Sequence, residues 1–480
     1  MTAAPPLPTG LLIGDEWVHH TADGSYQHVN PATGLVQAEF PVAGAAEVDA
    51  AVAAARAALP VYRAWSAAQR RRALQRLAAL MREHSAEFAA LGTAESGLLT
   101  AVASGVAGHA ADWFEYYAGW TDKIGGSVSP AAGLNYTLHE PVGVVAVLLT
   151  WNSPTAMIGT KMAAVLAAGC TIVLKPPELA PFGSVLFGRL CLEAGLPPGT
   201  VNIITGTGAA GDALVRHPGV DKITFTGGPE TARRIQEASA ASLTPCLFEL
   251  GGKSPNIVFA DADLDAAALH AALGVVRLSG QVCHAPTRLL VQDSVYDEVL
   301  DAVAGHLAAV RVGDPLDPSS EMGPVIGQRS YDRVLAAVET ARAAHAGEFV
   351  MGGAAAGLGS GFYLRPTLFS EVDPASELAR EELFGPVLAA TRFTDEAHAV
   401  ALANDSPYGL AAHLHTNDLS QAHRLARDLD TGNIAINGGL AYAGPAAPFG
   451  GFKASGHGKE GGREGIEEFL RVKNVNIRIN

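Results

Sequence analysis

Hydrophobic residues follow one rhythm before about position 120 and another from position 142 onward. Apolar residues recur every three or four positions from Ala45 to about Met81, with a break predicted near Pro60, and again over 84–120. This spacing predicts helices. From position 142, short and continuously apolar segments alternate with helical patterns, and the first of these segments are Val142–Thr150, Thr171–Leu174, Val201–Ile204 and Lys222–Phe225. Such alternation is typical of parallel sheets that helices cover on both faces.

A second alternating set runs from Asn256–Phe259 through Leu289–Val291 to about Ile436. The chain of 480 residues also exceeds the ~250–300 residues at which a single core stops growing. We therefore expect an α/β fold with two doubly wound parallel-sheet domains. The last segment, Asn474–Ile479, alternates apolar and polar residues like an edge strand, and Tyr136–His139 is its expected counterpart in a projecting hairpin.

Composition and charge exclude several classes of function. The net charge of −15 argues against a nucleic-acid partner, because phosphate neutralisation needs clustered Lys and Arg. The longest apolar runs fall short of the ~18–20 residues that a membrane span requires, and the proline-rich start lacks the pattern of a signal peptide. Four cysteines at irregular spacing predict neither a disulfide framework nor a metal site. We expect a cytoplasmic protein with no membrane partner.

Among the cysteines, Cys283 is the most informative, because a glycine-rich carboxylate segment that starts at Glu249 lies upstream of it. A thiolate attacks an electrophilic carbon, and a carboxylate activates the water that later releases the acyl group. Each residue also has an ordinary interpretation. A single cysteine is more often a small buried hydrophobe, and a glutamate beside two glycines usually marks a turn.

Three further segments lie at the carboxyl ends of predicted strands, where open α/β sheets bind ligands. Gly227–Gly228 opens a helix whose N-terminal amides suit a phosphate, although any strand-to-helix turn favours glycine. Lys175 and Glu178 suit the two hydroxyls of a ribose, or form a surface ion pair. Asn152 suits an oxyanion hole together with the backbone N–H of Cys283, or belongs to a simple turn.

These segments belong to a series of motifs that resembles the NAD(P)-dependent aldehyde dehydrogenase superfamily from about Leu11 to Ile479. The matching motifs are Glu249–Lys253, Gly280–Cys283, Glu381–Val387, Asn404 with Tyr408–Leu410, Pro448–Lys453 and Ser455–Glu460. So many motifs in the order and spacing of the family make the resemblance highly specific. It implies two doubly wound domains and a small β extension.

The resemblance implies a catalytic cycle on Cys283. In such enzymes the matching cysteine attacks the aldehyde, the asparagine that matches Asn152 stabilises the oxyanion, and hydride passes to the nicotinamide. The glutamate that matches Glu249 activates the water that hydrolyses the resulting thioester. Lys161 and Glu460 resemble a pair that relays protons from Glu249. A nucleophilic cysteine needs a lowered pKa to react efficiently at neutral pH.

The resemblance also implies NAD as the cofactor. Lys175 and Glu178 match the residues that hold the adenine ribose, and a carboxylate at the 2′-hydroxyl favours NAD over NADP. Glu382 matches the residue at the nicotinamide ribose, and Phe384 the residue beside the nicotinamide ring. The other positions assigned to cofactor binding are Trp151, Phe225, Gly227, Gly228 and Gly251.

The sequence departs from the family most on the substrate side. Ser153, Thr160 and Ala443 stand where the family often has aromatic residues, which predicts a wider pocket. Met157 and Phe449 keep part of that pocket apolar. We therefore expect a bulky aldehyde, aromatic or branched, as the small-molecule substrate.

Four other positions also differ from the family pattern. Arg277 replaces an aromatic residue and suits a carboxylate or phosphate of the substrate, or points to solvent. Leu98 and Leu99 stand where the family often has Lys-Pro, and Pro286 replaces a glycine after the nucleophile. The proline fixes φ and removes an N–H, which predicts a stiffer loop.

The motifs predict a NAD-binding domain from residues 1–122 and 142–251 and a catalytic domain from residues 252–453. Residues 123–141 and 469–480 form the expected oligomerisation segment. Because a projecting hairpin with exposed edges needs a partner, we expect a homodimer or homotetramer.

Two other functions stay open at this point. A CoA-acylating semialdehyde dehydrogenase would pass its acyl group to a thiol rather than to water, and the presence of Glu249 argues against it. A catalytically silent protein of the same fold is the third hypothesis. The intact set of Cys283, Glu249 and Asn152 argues against that hypothesis.

Overall fold

The structure is a computed structural model that describes residues 7–130, 132–353 and 358–479. The strands as far as residue 250 are β1 Leu11–Ile13, β2 Glu16–Val18, β3 Ser25–Val29, β4 Val36–Pro41, β5 Val128–Ser129, β6 Leu134–Pro141, β7 Val144–Leu148, β8 Thr171–Lys175, β9 Val201–Ile203, β10 Lys222–Gly227 and β11 Cys246–Leu250. The later strands are β12 Pro255–Val258, β13 Arg288–Gln292, β14 Glu348–Met351, β15 Thr367–Ser370, β16 Val387–Phe393, β17 Tyr408–Gly409, β18 Ala411–His415, β19 Asn433–Ile436, β20 Phe452–Lys453, β21 Gly456–His457 and β22 Leu470–Ile477.

Helices connect most of these strands. They are α1 Ala45–Arg63, α2 Ala67–Glu83, α3 Ser85–Ser96, α4 Thr100–Ala118, α5 Pro154–Ala168, α6 Phe182–Glu193, α7 Gly208–Arg216, α8 Pro229–Ala240, α9 Leu264–Val276, α10 Tyr296–Ala309, α11 Gln328–Ala343, α12 Glu377–Arg380, α13 Glu396–Asn404, α14 Leu419–Asp428 and α15 Gly462–Glu467.

The first large sheet has the order β2-β1-β9-β8-β7-β10-β11-β21 within the described residues. Its central strands β9, β8, β7, β10 and β11 run parallel. Successive residues of β7 face opposite cores, since Val145 and Val147 pack into one core and Val144 and Ala146 into the other. Burial on both faces explains why these strands are apolar at every position.

The second large sheet has the order β14-β15-β16-β13-β12-β18-β19 in the described part of the chain. All of these strands run parallel except β14. Helices α9 and α10 pack on one face, where Val275 and Val299 are fully buried, and α13 and α14 pack on the other. The predicted α/β class with two doubly wound parallel sheets is confirmed.

The chain terminus forms a third, smaller sheet with the segment before β7. Strand β22 pairs antiparallel with β6 along its whole length, so that Val475 lies opposite Tyr136. Strand β5 completes the order β22-β6-β5 among the residues described. The predicted partnership of the last strand with Tyr136–His139 is therefore present, and Val128 and Val472 remain largely exposed on this sheet.

The break that the sequence predicts near Pro60 is wrong by several residues. Pro60 lies inside α1, in the last turn, so that the missing N–H costs only one hydrogen bond near the end of the helix. The break comes after Arg63, where Ser66 caps the next helix by accepting a hydrogen bond from the backbone N–H of Gln69.

No helix within the described ranges is both long enough and apolar enough to span a bilayer.

The arrangement of the first sheet decides where ligands can bind. Asn152 follows β7, Lys175 ends β8, Gly227 ends β10 and Glu249 lies near the end of β11. Because these strands are parallel neighbours, their carboxyl ends meet along one edge.

Candidate active site

A cavity of about 400 Å³ lies between the two large sheets, and residues distant in sequence meet on its wall. Asn152, Glu249, Cys283 and Glu460 all line it. Glu460 reaches the cavity because β21 pairs with β11, which places Gly456 opposite Glu249. Glu382 also lines it, so the cavity contains a thiol, a side-chain amide and three carboxylates.

The loop that carries Cys283 is held in a strained backbone conformation. Leu278 and Ser279 both have left-handed φ angles, +50° and +55°, which are unfavourable for residues with a Cβ. The hydroxyl of Ser279 donates a 2.7 Å hydrogen bond to the carbonyl of Gly323, and the side chain of Gln281 accepts one of 2.9 Å from the N–H of Ile326. These two hydrogen bonds hold the backbone of the loop in its strained conformation, and a strained functional site persists only with such support.

The loop is also anchored behind the thiol by a histidine cluster, His270, His413 and His415. Nε2 of His413 lies 3.1 Å from the carbonyl oxygen of His284, and this nitrogen is the donor because a carbonyl only accepts. His270 packs against both other rings, at centroid distances of 5.1 Å and 5.0 Å. Sequence patterns did not single out this cluster.

Asn152 is aimed at the same loop. Its Nδ2 group donates a 2.8 Å hydrogen bond to the carbonyl oxygen of Gln281, two residues before Cys283. The amide nitrogen carries a second proton that this bond leaves available. Asn152 is therefore placed to donate to an oxygen that develops negative charge beside the thiol.

The pKa of the resting Cys283 thiol is not lowered, although the sequence argument required a lowered pKa for a reactive nucleophile. Burial, together with the nearby carboxylates of Glu382 and Glu249, raises the pKa of Cys283 to about 12. The backbone N–H of His284 is the group that lowers it. Burial also lowers the pKa of the His284 side chain to about 4, so this imidazole is neutral at pH 7 and provides no charge to a thiolate.

Glu249 is buried without a protein partner for either carboxylate oxygen in the described structure. Burial and the charge of Glu460 raise its pKa well above the ordinary range. A Cβ at Gly450 would lie only 2.8 Å from Oε1 of Glu249, so glycine there leaves room around the carboxylate. Unsatisfied buried oxygens with space beside them suit a water molecule as a hydrogen-bond partner.

Lys161 and Glu460 form a buried ion pair next to Glu249. Their Nζ and Oε1 atoms are 2.5 Å apart, and Lys161 also donates a 3.0 Å hydrogen bond to the hydroxyl of Thr224. The charge of Lys161 partly offsets the rise in the pKa of Glu249. The predicted pair is thus in contact, although Lys161 itself does not line the cavity.

A groove of about 500 Å³ continues from this cavity along the carboxyl edge of the first sheet. The two spaces share Trp151 and Gly227–Gly228 in their walls. At the far end, Nζ of Lys175 is 2.9 Å from a carboxylate oxygen of Glu178. Phe225 also lines the groove, and its ring fills the space where a Cβ of Gly227 would lie.

The groove contains the start of a helix. Helix α8 begins at Pro229 with Gly228 as its N-cap residue, and a Cβ at Gly228 would meet no protein atom within 4 Å. A helix N-terminus that faces open space provides N–H donors for phosphate oxygens. The groove therefore fits an extended ligand with a ribose at one end and phosphates in the middle.

Glu382 and Phe384 line the catalytic cavity itself rather than the groove. Glu382 accepts a 3.1 Å hydrogen bond from the backbone N–H of Gly252, and burial raises its pKa to about 7. A Cβ at Gly251 would collide with the Glu382 carboxylate. Phe384 has a left-handed φ of +49° and packs edge-on against Trp151 at 5.2 Å.

The chain matches known proteins over nearly all of its length. Residues 17–475 match the model of the aldehyde dehydrogenase family. The chain belongs to this family. It is 39% identical to retinal dehydrogenase 2 of Homo sapiens (98% of this chain, 92% of the relative) and 38% identical to betaine aldehyde dehydrogenase 1 of Oryza sativa subsp. japonica (99% and 96%).

Its fold is also similar to solved aldehyde dehydrogenase structures. Betaine aldehyde dehydrogenase from Staphylococcus aureus, crystallised in complex with NAD⁺, aligns with a TM-score of 0.96 at 34% identity, covering 98% of this chain and 95% of that chain. The family resemblance that the motifs indicated is confirmed, and so is the fold class.

On the substrate side of this aldehyde dehydrogenase, the predicted residues do not all meet. Ser153, Met157 and Phe449 line the catalytic cavity, whereas Thr160 and Arg277 do not. The hydroxyl of Thr160 instead hydrogen-bonds to the hydroxyl of Tyr442. Thr160 therefore contacts a residue of the cavity wall, Tyr442, without lining the cavity itself, and the expected widening at position 160 stays a prediction.

The Tyr442 ring is held by an aromatic stack. Tyr442 stacks on Trp113 at 5.6 Å and meets Phe449 edge-on at 4.9 Å, and His109 lies 5.8 Å from it. Both Tyr442 and His109 line the cavity, and sequence reasoning missed both. No sequence pattern pairs them, since the helix α4 residues and the 438–447 loop come together only in the tertiary structure.

Arg277 lines a neighbouring cavity of about 370 Å³. The two cavities share wall residues, namely Ser153, Leu278, Val282 and His284. Groups of three or more His, Cys, Asp or Glu side chains that would hold a metal ion do not occur in the described ranges.

Proposed function

We propose that this aldehyde dehydrogenase oxidises an aldehyde to a carboxylic acid through a thioester on Cys283, with NAD as the cofactor. One observation carries the proposal. Cys283, Glu249 and Asn152 share a single cavity, and that cavity continues into the groove that ends at Lys175 and Glu178. Nucleophile, water-activating base, oxyanion donor and nucleotide groove are thus connected.

The chain's own groups account for the covalent part of the reaction. The sulfur of Cys283 adds to the aldehyde carbon with loss of the thiol proton, and the carbonyl oxygen becomes an oxyanion. Nδ2 of Asn152 and the backbone N–H of Cys283 stabilise that oxyanion, an effect worth ~10²–10³ in turnover for one donor. This adduct becomes a thioester by losing a hydride, for which NAD, when bound, would supply the acceptor.

Hydrolysis then depends on Glu249. Its buried carboxylate has a raised pKa, which makes it a stronger base than an exposed glutamate. It takes a proton from the water that attacks the thioester, and the acid leaves as Cys283 is restored. The Lys161–Glu460 ion pair behind Glu249 is our proposed outlet for that proton.

Groups along the groove fit NAD. Lys175 and Glu178, already paired at 2.9 Å, would hold the adenine ribose, and the carboxylate of Glu178 would repel a 2′-phosphate. The N-terminus of α8 would face the pyrophosphate, and Glu382 the second ribose. We therefore propose a preference for NAD over NADP.

For the substrate we propose a bulky aldehyde, aromatic or branched. The cavity wall near Cys283 is largely aromatic and apolar, with Met157, Tyr442 and Phe449 as its main members. These side chains favour an apolar body over a short hydrophilic aldehyde, because the gain from burial scales with apolar area.

The sheet of β5, β6 and β22 is our proposed contact between subunits in a homodimer or homotetramer. Its exposed edge and exposed apolar residues, Val128, Leu138 and Val472, are features that a partner would cover. Light scattering on the purified protein, with Val472→Glu as the disrupting variant, tests this contact.

NADH formation across a panel of aldehydes tests the proposed function. We expect benzaldehyde-like or long-chain aldehydes to give a higher kcat/KM than acetaldehyde, NAD to exceed NADP, and CoA to leave the rate unchanged. Cys283→Ala should abolish activity, whereas Cys246→Ala, a matched control at a half-buried cysteine outside the cavity, should retain it. Activity that requires CoA would favour the acylating alternative, and absence of NADH with every aldehyde would favour the silent one.

A further inference from the structure

The cavity that Arg277 lines opens next to the catalytic cavity. The two spaces adjoin, since Ser153, Leu278, Val282 and His284 belong to both walls. Ser153 is small, so this boundary is thin where a larger residue would close it. We call the 370 Å³ space the outer chamber.

The wall of the outer chamber is mainly apolar. Leu98, Leu99, Val102, Val276 and Met322 provide most of it. Leu98 is buried and packs with the neighbouring Leu278, the strained residue that borders both cavities. An apolar wall of this kind binds hydrocarbon and rejects a charged or strongly hydrated group.

Two charged side chains, Arg277 and Glu321, interrupt this apolar wall, and only one is neutralised by the protein. Glu321 accepts a 2.9 Å hydrogen bond from the backbone N–H of Arg311 and pairs with its guanidinium at 3.3 Å. Arg277 is exposed at the chamber and takes part in none of the side-chain hydrogen bonds or ion pairs among the described residues. The chamber thus combines an apolar body with one available guanidinium.

We propose that the outer chamber binds the far end of the substrate, and that the preferred aldehyde carries an anionic group there, separated from the aldehyde by an apolar body. This proposal rests on the proposed function and specifies its substrate class. A guanidinium offers paired N–H donors that match the two oxygens of a carboxylate. The reacting carbon lies at Cys283 while the anion lies at Arg277.

The expected effects follow from the two parts of the chamber. Each methylene that enters an apolar wall is worth about fourfold in kcat/KM. An exposed ion pair is worth about fivefold at most for the whole contact, which is close to the effect of one methylene. Chain length should therefore matter as strongly as charge, and the charge effect should appear only when the anion reaches Arg277.

Two substrate series of matched length test this proposal. One contains straight-chain alkanals, and the other contains the corresponding ω-oxoalkanoates, which carry a terminal carboxylate. We expect the ratio of kcat/KM between the carboxylated and uncharged members to rise about fivefold at one chain length. Arg277→Gln should remove that maximum, lowering kcat/KM of the carboxylated substrate about fivefold more than that of the alkanal of the same length.

Arg365→Gln is the matched control, since Arg365 is an exposed arginine outside the chamber that, like Arg277, makes no side-chain hydrogen bond or ion pair among the described residues. It should keep the maximum. Val102→Glu, at an exposed position on the chamber wall, should lower the ratio without a risk to the core. A ratio that is flat with chain length, or an equal loss in the Arg277 and Arg365 variants, would overturn the proposal. If both series are oxidised with no preference for the carboxylated members, only this proposal fails. If neither series is oxidised, the proposed function fails as well.

Discussion

Because of His413, the free energy of unfolding of this protein should fall more steeply in weak acid than exposed histidines alone can explain. It lies on β18, is almost fully buried, and donates to the carbonyl of His284 beside the nucleophile. Its neighbours are His270, which packs against its ring, and His415 on the same strand. Replacing His413 with Gln keeps a donor at this position and removes the titrating ring.

The magnitude follows from the pKa of His413. Burial, followed by the charge of His270, lowers it to about 3, whereas an unfolded histidine titrates near 6.5. Between these values the unfolded chain binds a proton that the folded chain does not bind. Stability is therefore complete above pH 6.5 and is lost as the pH falls toward 3. At pH 5 the loss from His413 alone is about 2 kcal/mol.

Urea unfolding of wild type and His413→Gln at pH 8 and pH 5 measures this effect. Wild type should lose about 2 kcal/mol more free energy of unfolding between the two pH values than the variant loses. His20→Gln, at an exposed position, should behave like wild type. An equal pH dependence in wild type and His413→Gln would refute the reasoning. His413→Leu, which also lacks the donor, should in addition lower kcat at pH 8.

Three further predictions concern the reaction and its cofactor. Glu249→Gln should lower steady-state NADH formation by about 10²–10⁴-fold but leave an initial burst of one NADH per site, and a lost burst would contradict the assigned role in hydrolysis. Gly251→Ala should weaken NAD binding at least about tenfold, because the new Cβ displaces the Glu382 carboxylate. Gly305→Ala, on an exposed helix face, should leave NAD binding unchanged. Isothermal titration measures the affinity of both variants. Glu178→Gln should raise the NADP-to-NAD ratio of kcat/KM about tenfold, and an unchanged ratio would show that the carboxylate does not discriminate.

Much of the fold was accessible from local patterns. The continuous apolar segments near Val144 and Ile172 became parallel strands, because a strand buried on both faces has no polar side. The terminal strand and Tyr136–His139 became partners, as their alternating pattern indicated. The position of the helix break near Pro60 was wrong, since a proline in the last turn of a helix removes only one hydrogen bond.

For the candidate site, motifs indicated the chemistry but not its surroundings. Cys283, Glu249 and Asn152 were identified by residue type and spacing, and the structure places them on one cavity. The direction of the Cys283 pKa was not predictable, because burial and the charge of Glu382 come from distant parts of the chain. Tyr442 was also missed, since its position depends on a stack with Trp113.

By itself, the sequence determined the strands, the helices, the family and the reactive groups, because each depends on residues that are close together in the chain. Only the tertiary structure decided what surrounds the reactive groups: the hydrogen bond between Thr160 and Tyr442, the guanidinium of Arg277 without a side-chain partner among the described residues, and the neutral state of the thiol. The physical reason is that burial and electrostatic environment are properties of the packed whole. They depend on side chains that the chain brings together only when it folds.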